Sequence, residues 1–218
     1  VENKKKIFIQ RYNDWRIDKI ILYNNNSCEI QFNNGLVKAL PFSCDSVYCA
    51  QYGIPLSTDG SIILFSNWED GLTAYHIDKE TILWRYKKSR ITKVFICLGY
   101  VVAIRYGKSI VKLDLNTGEV CSIIQSSTIE KAFALTERYL LIDSIKGNVA
   151  IIDAMDFCIM KKYRKLVVNP NSCLSIVINN AFLSNNNVVI AGFEEYPERN
   201  INNNLKNVFE RIIDPVFI

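Results

Sequence analysis

The sequence predicts an all-β chain of about five repeated four-stranded units. Three observations predict it. First, Gly71 to Trp84 reads as strand, tight turn, strand, and Gly107 to Val120 and Lys146 to Cys158 repeat that pattern. In each copy an Asp (Asp78, Asp114, Asp153) follows an apolar residue (Ile77, Leu113, Ile152), and Thr81, Thr117 or Asp156 comes three residues later. Asp at the end of a strand can bond the backbone of its own turn, and the next small polar residue tightens it. Second, these Asp residues are spaced by 36 and then 39, and a period near forty marks a repeat architecture. Third, each unit holds one continuous apolar run: Ile20–Leu22, Ile62–Phe65, Val101–Ile104, Leu140–Ile142 and Val188–Ile190. Such runs belong to strands covered on both faces.

The elements follow in order. Residues 7–12, 18–23, 28–32 and 36–42 read as four short strands, with turns at Asn24-Asn25-Asn26 and Asn33-Asn34-Gly35. Asn-Gly between apolar runs is a strong hairpin signal. The second unit opens with a strand at 46–51. A loop over 52–60 carries Gly53, Pro55 and Asp59-Gly60, the apolar strand 61–66 follows, and an exposed turn at 67–71 leads into the repeated hairpin. Strands near 92–97, 100–106, 109–114 and 119–124 make the third unit, and those near 130–135, 138–144, 148–153 and 157–163 the fourth. The fifth is ragged, with strands at 174–178 and 188–193 and Asn-rich turns at Asn179-Asn180 and Asn185–Asn187. Beyond Asn202–Asn204, the spacing of Leu205, Val208, Phe209, Ile212 and Ile213 is that of an amphipathic helix over about 204–213, stopped by Asp214-Pro215.

A doubly covered strand followed by an alternating one, as in Val111 and Leu113 against Lys112 and Asp114, fits a sheet stacked between two similar sheets. That is the blade of a β-propeller. The expected arrangement is one domain over 1–218, with blades at roughly 6–42, 46–88, 91–125, 129–165 and 172–200. A sandwich or barrel of twenty-odd strands is the alternative, but it has no reason to repeat its turn chemistry every forty residues.

The motif Gly71…Tyr75…Ile77-Asp78…Thr81…Trp84, echoed by Gly107…Leu113-Asp114…Thr117-Gly118, resembles the repeat of quinoprotein-type propellers. The resemblance covers residues 46–163 and implies the fold. One copy keeps the Trp; Val120 and Met160 or its neighbour stand in later, and the Gly-His and Trp-Asp signature of WD repeats is absent. Quinone-dependent dehydrogenases of this type are longer and use adjacent cysteines and a calcium site, and no two cysteines are adjacent here. The lipoprotein propellers of outer-membrane assembly, a second relative class, carry a lipidated Cys that this sequence does not display.

Composition narrows the function. The chain has 218 residues, 49% apolar and 22% charged, with a net charge of +4, which is too mild to mark a nucleic-acid binder by itself. No apolar run approaches a membrane span, so a soluble, cytoplasmic protein is expected. Seven Cys, none in a CxxC pair, suit reduced and buried thiols, and Cys97, Cys121 and Cys158 sit in apolar strand-like runs. The single histidine, His76, lies in the hairpin beside Tyr75 and is expected to face the blade surface or the adjacent blade. No zinc spacing and no glycine-rich phosphate loop exist, so no catalytic residue, metal or cofactor is assigned.

Two surfaces remain. Tyr52, Trp68 and Tyr196 fall in expected turns beside Asp59, Glu69, Asp70, Glu194 and Glu195, and Trp and Tyr are common interface anchors. Arg85, Lys87, Lys88 and Arg90 follow one hairpin, and Lys161, Lys162, Arg164 and Lys165 follow another. These basic runs fit either an acidic partner or a solvated strand edge. The expected function is a non-enzymatic propeller that binds another protein. In style the chain is similar to immunity proteins of bacterial contact-dependent toxin systems, which implies a cognate toxin domain, such as a nuclease, as partner. A small lyase or glycosidase using channel carboxylates is the alternative, and nucleic-acid binding through the basic runs ranks third.

Overall fold

The apolar runs become the central strands of antiparallel sheets. A computed structural model describes residues 6–8, 17–23, 25–48, 50–51, 54–55, 61–97, 99–144, 148–164, 175–184, 187–195 and 207–213. The strands are β1 (Lys6–Phe8), β2 (Ile17–Leu22), β3 (Cys28–Phe32), β4 (Val37–Ala39), β5 (Ser46–Tyr48), β6 (Ala50–Gln51), β7 (Ile54–Pro55), β8 (Ile62–Asn67), β9 (Gly71–His76) and β10 (Thr81–Tyr86). They continue as β11 (Ile91–Cys97), β12 (Tyr100–Arg105), β13 (Ser109–Asp114), β14 (Val120–Gln125), β15 (Ile129–Ala134), β16 (Tyr139–Ser144), β17 (Asn148–Asp153), β18 (Cys158–Tyr163), β19 (Ser175–Ser184), β20 (Asn187–Glu195) and β21 (Asn207–Ile213). Four sheets are four-stranded meanders: β1-β2-β3-β4, β5-β8-β9-β10, β11-β12-β13-β14 and β15-β16-β17-β18. The fifth, β19-β20-β21, has three strands, and β6-β7 is a small hairpin inserted within the second. The fold is all-β and of the β-propeller type.

The chain divides into two compact units. Unit 1 holds Val1–Ile91 with Asn116–Gly118, and unit 2 holds Thr92–Leu115 with Glu119–Ile218. In unit 1 the first two sheets share a core of Ile20, Ile30, Val47, Ile63, Phe65 and Tyr75, with Phe42 set edge-on to Phe65 at 5.2 Å. Lys38 of β4 and Glu80 in the β9–β10 turn add an ion pair between the same two sheets. In unit 2, Val102, Ile104, Ile110, Ile129, Leu140 and Ile142 join the third and fourth sheets. Leu141, Val149, Ile151, Ile178, Val188 and Ile190 join the fourth and fifth. Strand β16 therefore sends alternate side chains to opposite neighbours, as a strand covered on both faces must.

Register shows how the repeat is built. His76, Asp114 and Asp153 end β9, β13 and β17, and pair with Ile62, Tyr100 and Tyr139. The next residue (Ile77, Leu115, Ala154) is buried, and its amide donates to the carbonyl of Ser61, Gly99 or Arg138. Four residues after the strand end, Glu80, Gly118 and Phe157 all have positive φ. The outer strand then carries a bulge at Leu83, Cys121 or Met160.

This corrects the sequence alignment in the first copy. The equivalent of Asp114 and Asp153 is His76, and Asp78 lies two residues further, inside the turn. The spacing is then 38 and 39. His76 Nδ1 accepts the Lys79 amide at 3.3 Å, just as Asp153 Oδ1 accepts the amides of Met155 and Asp156 at 2.8 and 3.1 Å. A neutral imidazole nitrogen can stand in for a carboxylate oxygen there, which hid the equivalence from a search for Asp. The same register makes Ser122 and Lys161 the counterparts of Trp84, each eight residues after the strand-ending His76, Asp114 or Asp153; this replaces Val120 and keeps the neighbour of Met160.

Other expectations change with the packing. Strand β13 does not alternate. Lys112 is buried there, with Nζ 2.5 Å from the Met155 carbonyl and 3.9 Å from the Tyr100 ring centroid. Both faces of β13 are covered, and the Lys stem reaches along one of them to polar partners. Cys121 and Cys158 are exposed, because β14 and β18 are the outermost strands of their sheets. Cys28 and Cys44 are buried together in unit 1, and a hydrogen bond that the neutral Cys28 thiol donates to Cys44, with burial behind it, pushes the Cys28 thiol up. Asn179-Asn180 is no turn: β19 runs through it with a bulge between Ile178 and Asn180. Residues 207–213 form strand β21 and not the expected helix. Ladder pairing with β20 satisfies that backbone, which outweighs an i, i+3, i+4 pattern that a strand can also carry.

Candidate functional site

The turn Asn67–Gly71 presents the acidic and aromatic candidates of unit 1. Asn67 Oδ1 accepts the amides of Glu69 and Asp70 at 2.8 and 3.1 Å, and Asp45 Oδ2 accepts the Trp68 amide at 2.7 Å. The Arg90 amide donates to the Trp68 carbonyl at 2.6 Å, so the segment after β10 wraps the turn. Trp68, Glu69 and Asp70 are all exposed. Tyr52, Asp59 and Tyr196 lie outside the described residues. Glu194 and Glu195 belong to strand β20 of unit 2 and not to a turn, because the ladder with β19 and β21 extends through Glu194.

The two basic runs occupy the same place in their own sheets. Arg85 lies on β10, with Lys87, Lys88 and Arg90 just beyond it, all exposed at the outer edge of the second sheet. Lys161 and Lys162 lie on β18, the outer edge of the fourth sheet, with Arg164 following. Lys161 packs over Tyr163, with Nζ 5.1 Å from the ring centroid. Lys165 lies outside the described residues. Strand β14, at that place in the third sheet, reads Val-Cys-Ser-Ile-Ile-Gln and has no charge.

A cleft of ≈ 370 Å³ opens in unit 2 between the third and fourth sheets. Ile110, Ile124, Ile129 and Ile142 give it an apolar floor, and Gln125, Ser126, Thr128, Ser144 and Asn148 add neutral polar groups. Lys162 and Arg164 also line it, and among the described residues no carboxylate does. Sequence reading had found these two cations but not the cleft, because its walls come from strands far apart in the chain.

Two buried acids in unit 2 were not singled out as site residues. Arg138 donates to Asp153 Oδ2 from Nε at 2.8 Å, and its Nη2 reaches Asp153 and Asp156 at 2.7 and 2.8 Å. Burial pushes the Asp153 carboxyl up, but Arg138 and the two turn amides together hold it below the usual range. A depressed carboxyl contributes stability above its unfolded value and loses it as pH falls through the folded one. Arg138→Ala is therefore expected to lower the urea midpoint at pH 7, with the gap to wild type closing below about pH 4. Equal midpoints at both pH values would show that the pair adds nothing. The second acid, Asp143, is buried on β16, and burial, with Glu130 nearby, pushes it up to about 7. Among the described residues no group of three or more His, Cys, Asp or Glu side chains could hold a metal.

Meandering four-stranded sheets that pack face on face and repeat one capped hairpin define a protein of the β-propeller class. Among solved structures, BamB from Moraxella catarrhalis is similar, with a TM-score of 0.56 and 12% identity over 88% of this chain and 57% of that one. The dihydro-heme d1 dehydrogenase NirN, in complex with DHE, is similar with a TM-score of 0.59 and 13% identity over 80% of this chain and 41% of that one. The chain thus spans about half the length of these neighbours. No protein-family model and no curated protein matches the sequence. At such identities the likeness shows the fold alone.

Proposed function

We propose that the chain is a non-enzymatic binding module whose partner is another protein. The observation that carries this reading is the surface of the outer strands in unit 2. Val120 and Ile123 on β14 are 46% and 47% exposed, and Ile159 and Met160 on β18 are exposed as well. Exposed apolar side chains on the outer strands of successive sheets are what a partner covers. In its narrower form the partner is a cognate bacterial toxin domain, a nuclease among the candidates. The exposed Trp68-Glu69-Asp70 turn supports that form, since it sets an aromatic anchor beside two carboxylates that a basic domain would meet.

A pull-down of tagged protein from its host, with adjacent-gene products identified by mass spectrometry, tests both levels. A stoichiometric protein partner is expected. The narrower form also requires that this partner be a toxic enzyme domain, silenced on binding and released by Trp68→Ala combined with Glu69→Lys and Asp70→Lys. A partner with no such activity sinks the toxin reading. Recovery of the chain alone sinks both.

A further inference from the structure

We propose that the cleft between the third and fourth sheets takes an extended peptide segment bearing carboxylate side chains. The segment adds to the free edge of β14 and sets its carboxylates against Lys162 and Arg164. This rests on the protein-binding reading and narrows it to one partner chemistry.

The edge is the first argument. Strand β14 is last in its sheet, so one row of its N–H and C=O groups has no strand beside it among the described residues. Proteins guard such edges with charge, and β10 and β18 do so with Arg85 and with Lys161 and Lys162. Strand β14 has no such guard over six residues, and it exposes Val120, Cys121, Ile123 and Gln125. An unguarded edge accepts an added strand, whose main chain supplies the hydrogen bonds while alternate side chains enter pockets.

The cleft is the second argument, and it selects the charge. Ile124 and Gln125 of β14 line it, so a strand added at that edge lies along its mouth. The isoleucine floor suits apolar side chains. Lys162 and Arg164 are exposed on the facing wall, and neither forms an ion pair among the described residues. Two free cations and no lining acid among those residues give the cleft a positive field, which attracts a carboxylate and repels a basic segment.

The test uses the full chain and a fluorescein-labelled seven-residue peptide of alternating valine and glutamate, read by fluorescence anisotropy. Saturable binding is expected, weakened at least tenfold by K162E/R164E and by N-methylation of alternate peptide amides. Far-UV circular dichroism and the melting curve confirm that the double variant is folded. Equal binding of a valine–lysine peptide, or of the N-methylated peptide, overturns the proposal. So does full displacement by glutarate, which would make the site one for small anions. A concentration-dependent dimer abolished by Ile123→Lys would put a second copy of the chain on the edge and overturn it too. Repeating the host pull-down with K162E/R164E separates the two readings. A partner held equally by both forms overturns the cleft and leaves protein binding in place; a partner lost with the double variant supports both.

Discussion

Asp143→Asn is expected to make the protein more stable above pH 7 and to flatten its stability between about pH 4 and 7. Asp143 sits on β16 on the face that carries Leu141, among side chains that pack toward the fifth sheet. Burial is the main reason its carboxyl resists ionising, and Glu130 adds to it. Lys131 and the Ser144 amide pull the other way but do not win. Lys131 is partly engaged elsewhere, with Nζ 3.2 Å from the Ile178 carbonyl. The folded carboxyl is pushed up to about 7 from an ordinary value of 3.8. The sign follows: its contribution is fully present below about pH 4 and is lost as pH rises through about 7. The ionised form at pH 8 costs at most about 4 kcal/mol, a large part of an ordinary domain's stability. Asparagine keeps the shape and cannot ionise. Urea unfolding at pH 4, 6 and 8 measures the effect. Parallel profiles for wild type and variant would mean that water reaches the carboxylate.

Gly71→Ala is expected to destabilise unit 1 by about 4 kcal/mol, with a melting point lower by roughly 10 °C. Gly71 opens β9 with φ +94°, a conformation that side chains rarely adopt. A Cβ there would lie 2.2 Å from the Tyr86 carbonyl oxygen and 2.8 Å from the amide nitrogen of Lys88. Both obstacles are backbone, so no rotamer change relieves them. The segment that must move carries Arg85 to Arg90 and holds the Trp68 turn through the Arg90 amide. The variant should therefore disturb both surfaces of unit 1 together. Tryptophan fluorescence and thermal melting report it, and an unchanged melting point would show that the β10 end yields freely. Gly118, with φ +71°, is also closed to a side chain, but there the obstacle is a side chain: its Cβ would come within 2.5 Å of the Trp84 indole.

Much of this protein is written in its local pattern. Apolar runs such as Val101–Ile104 and Leu140–Ile142 cannot be solvated, so they had to be central strands covered on both faces. The Asn-Gly turn at 34–35 and the Asp114 and Asp153 hairpins mark where the chain reverses, and those signals act over a few residues. The fold class and the four sheets from β1 to β18 were therefore legible. The basic runs were legible too, as charges along outer strands.

Tertiary structure decided the rest. His76 takes an Asp's place because hydrogen-bond geometry, not residue type, defines the cap. Residues 207–213 became a strand because β20 offered a ladder, and that pairing is not a property of the segment. Lys112 and Asp143 are buried by neighbours from other parts of the chain, and a one-dimensional pattern cannot count such neighbours. The cleft exists only where strands β13 to β18 meet, so its positive lining, free of acids among the described residues, depends on how sheets stack. Sequence alone determined the apolar central strands and the capped turns of the first four sheets. Packing between strands determined which side chains stay free to meet a partner, because exposure is settled by what stands opposite.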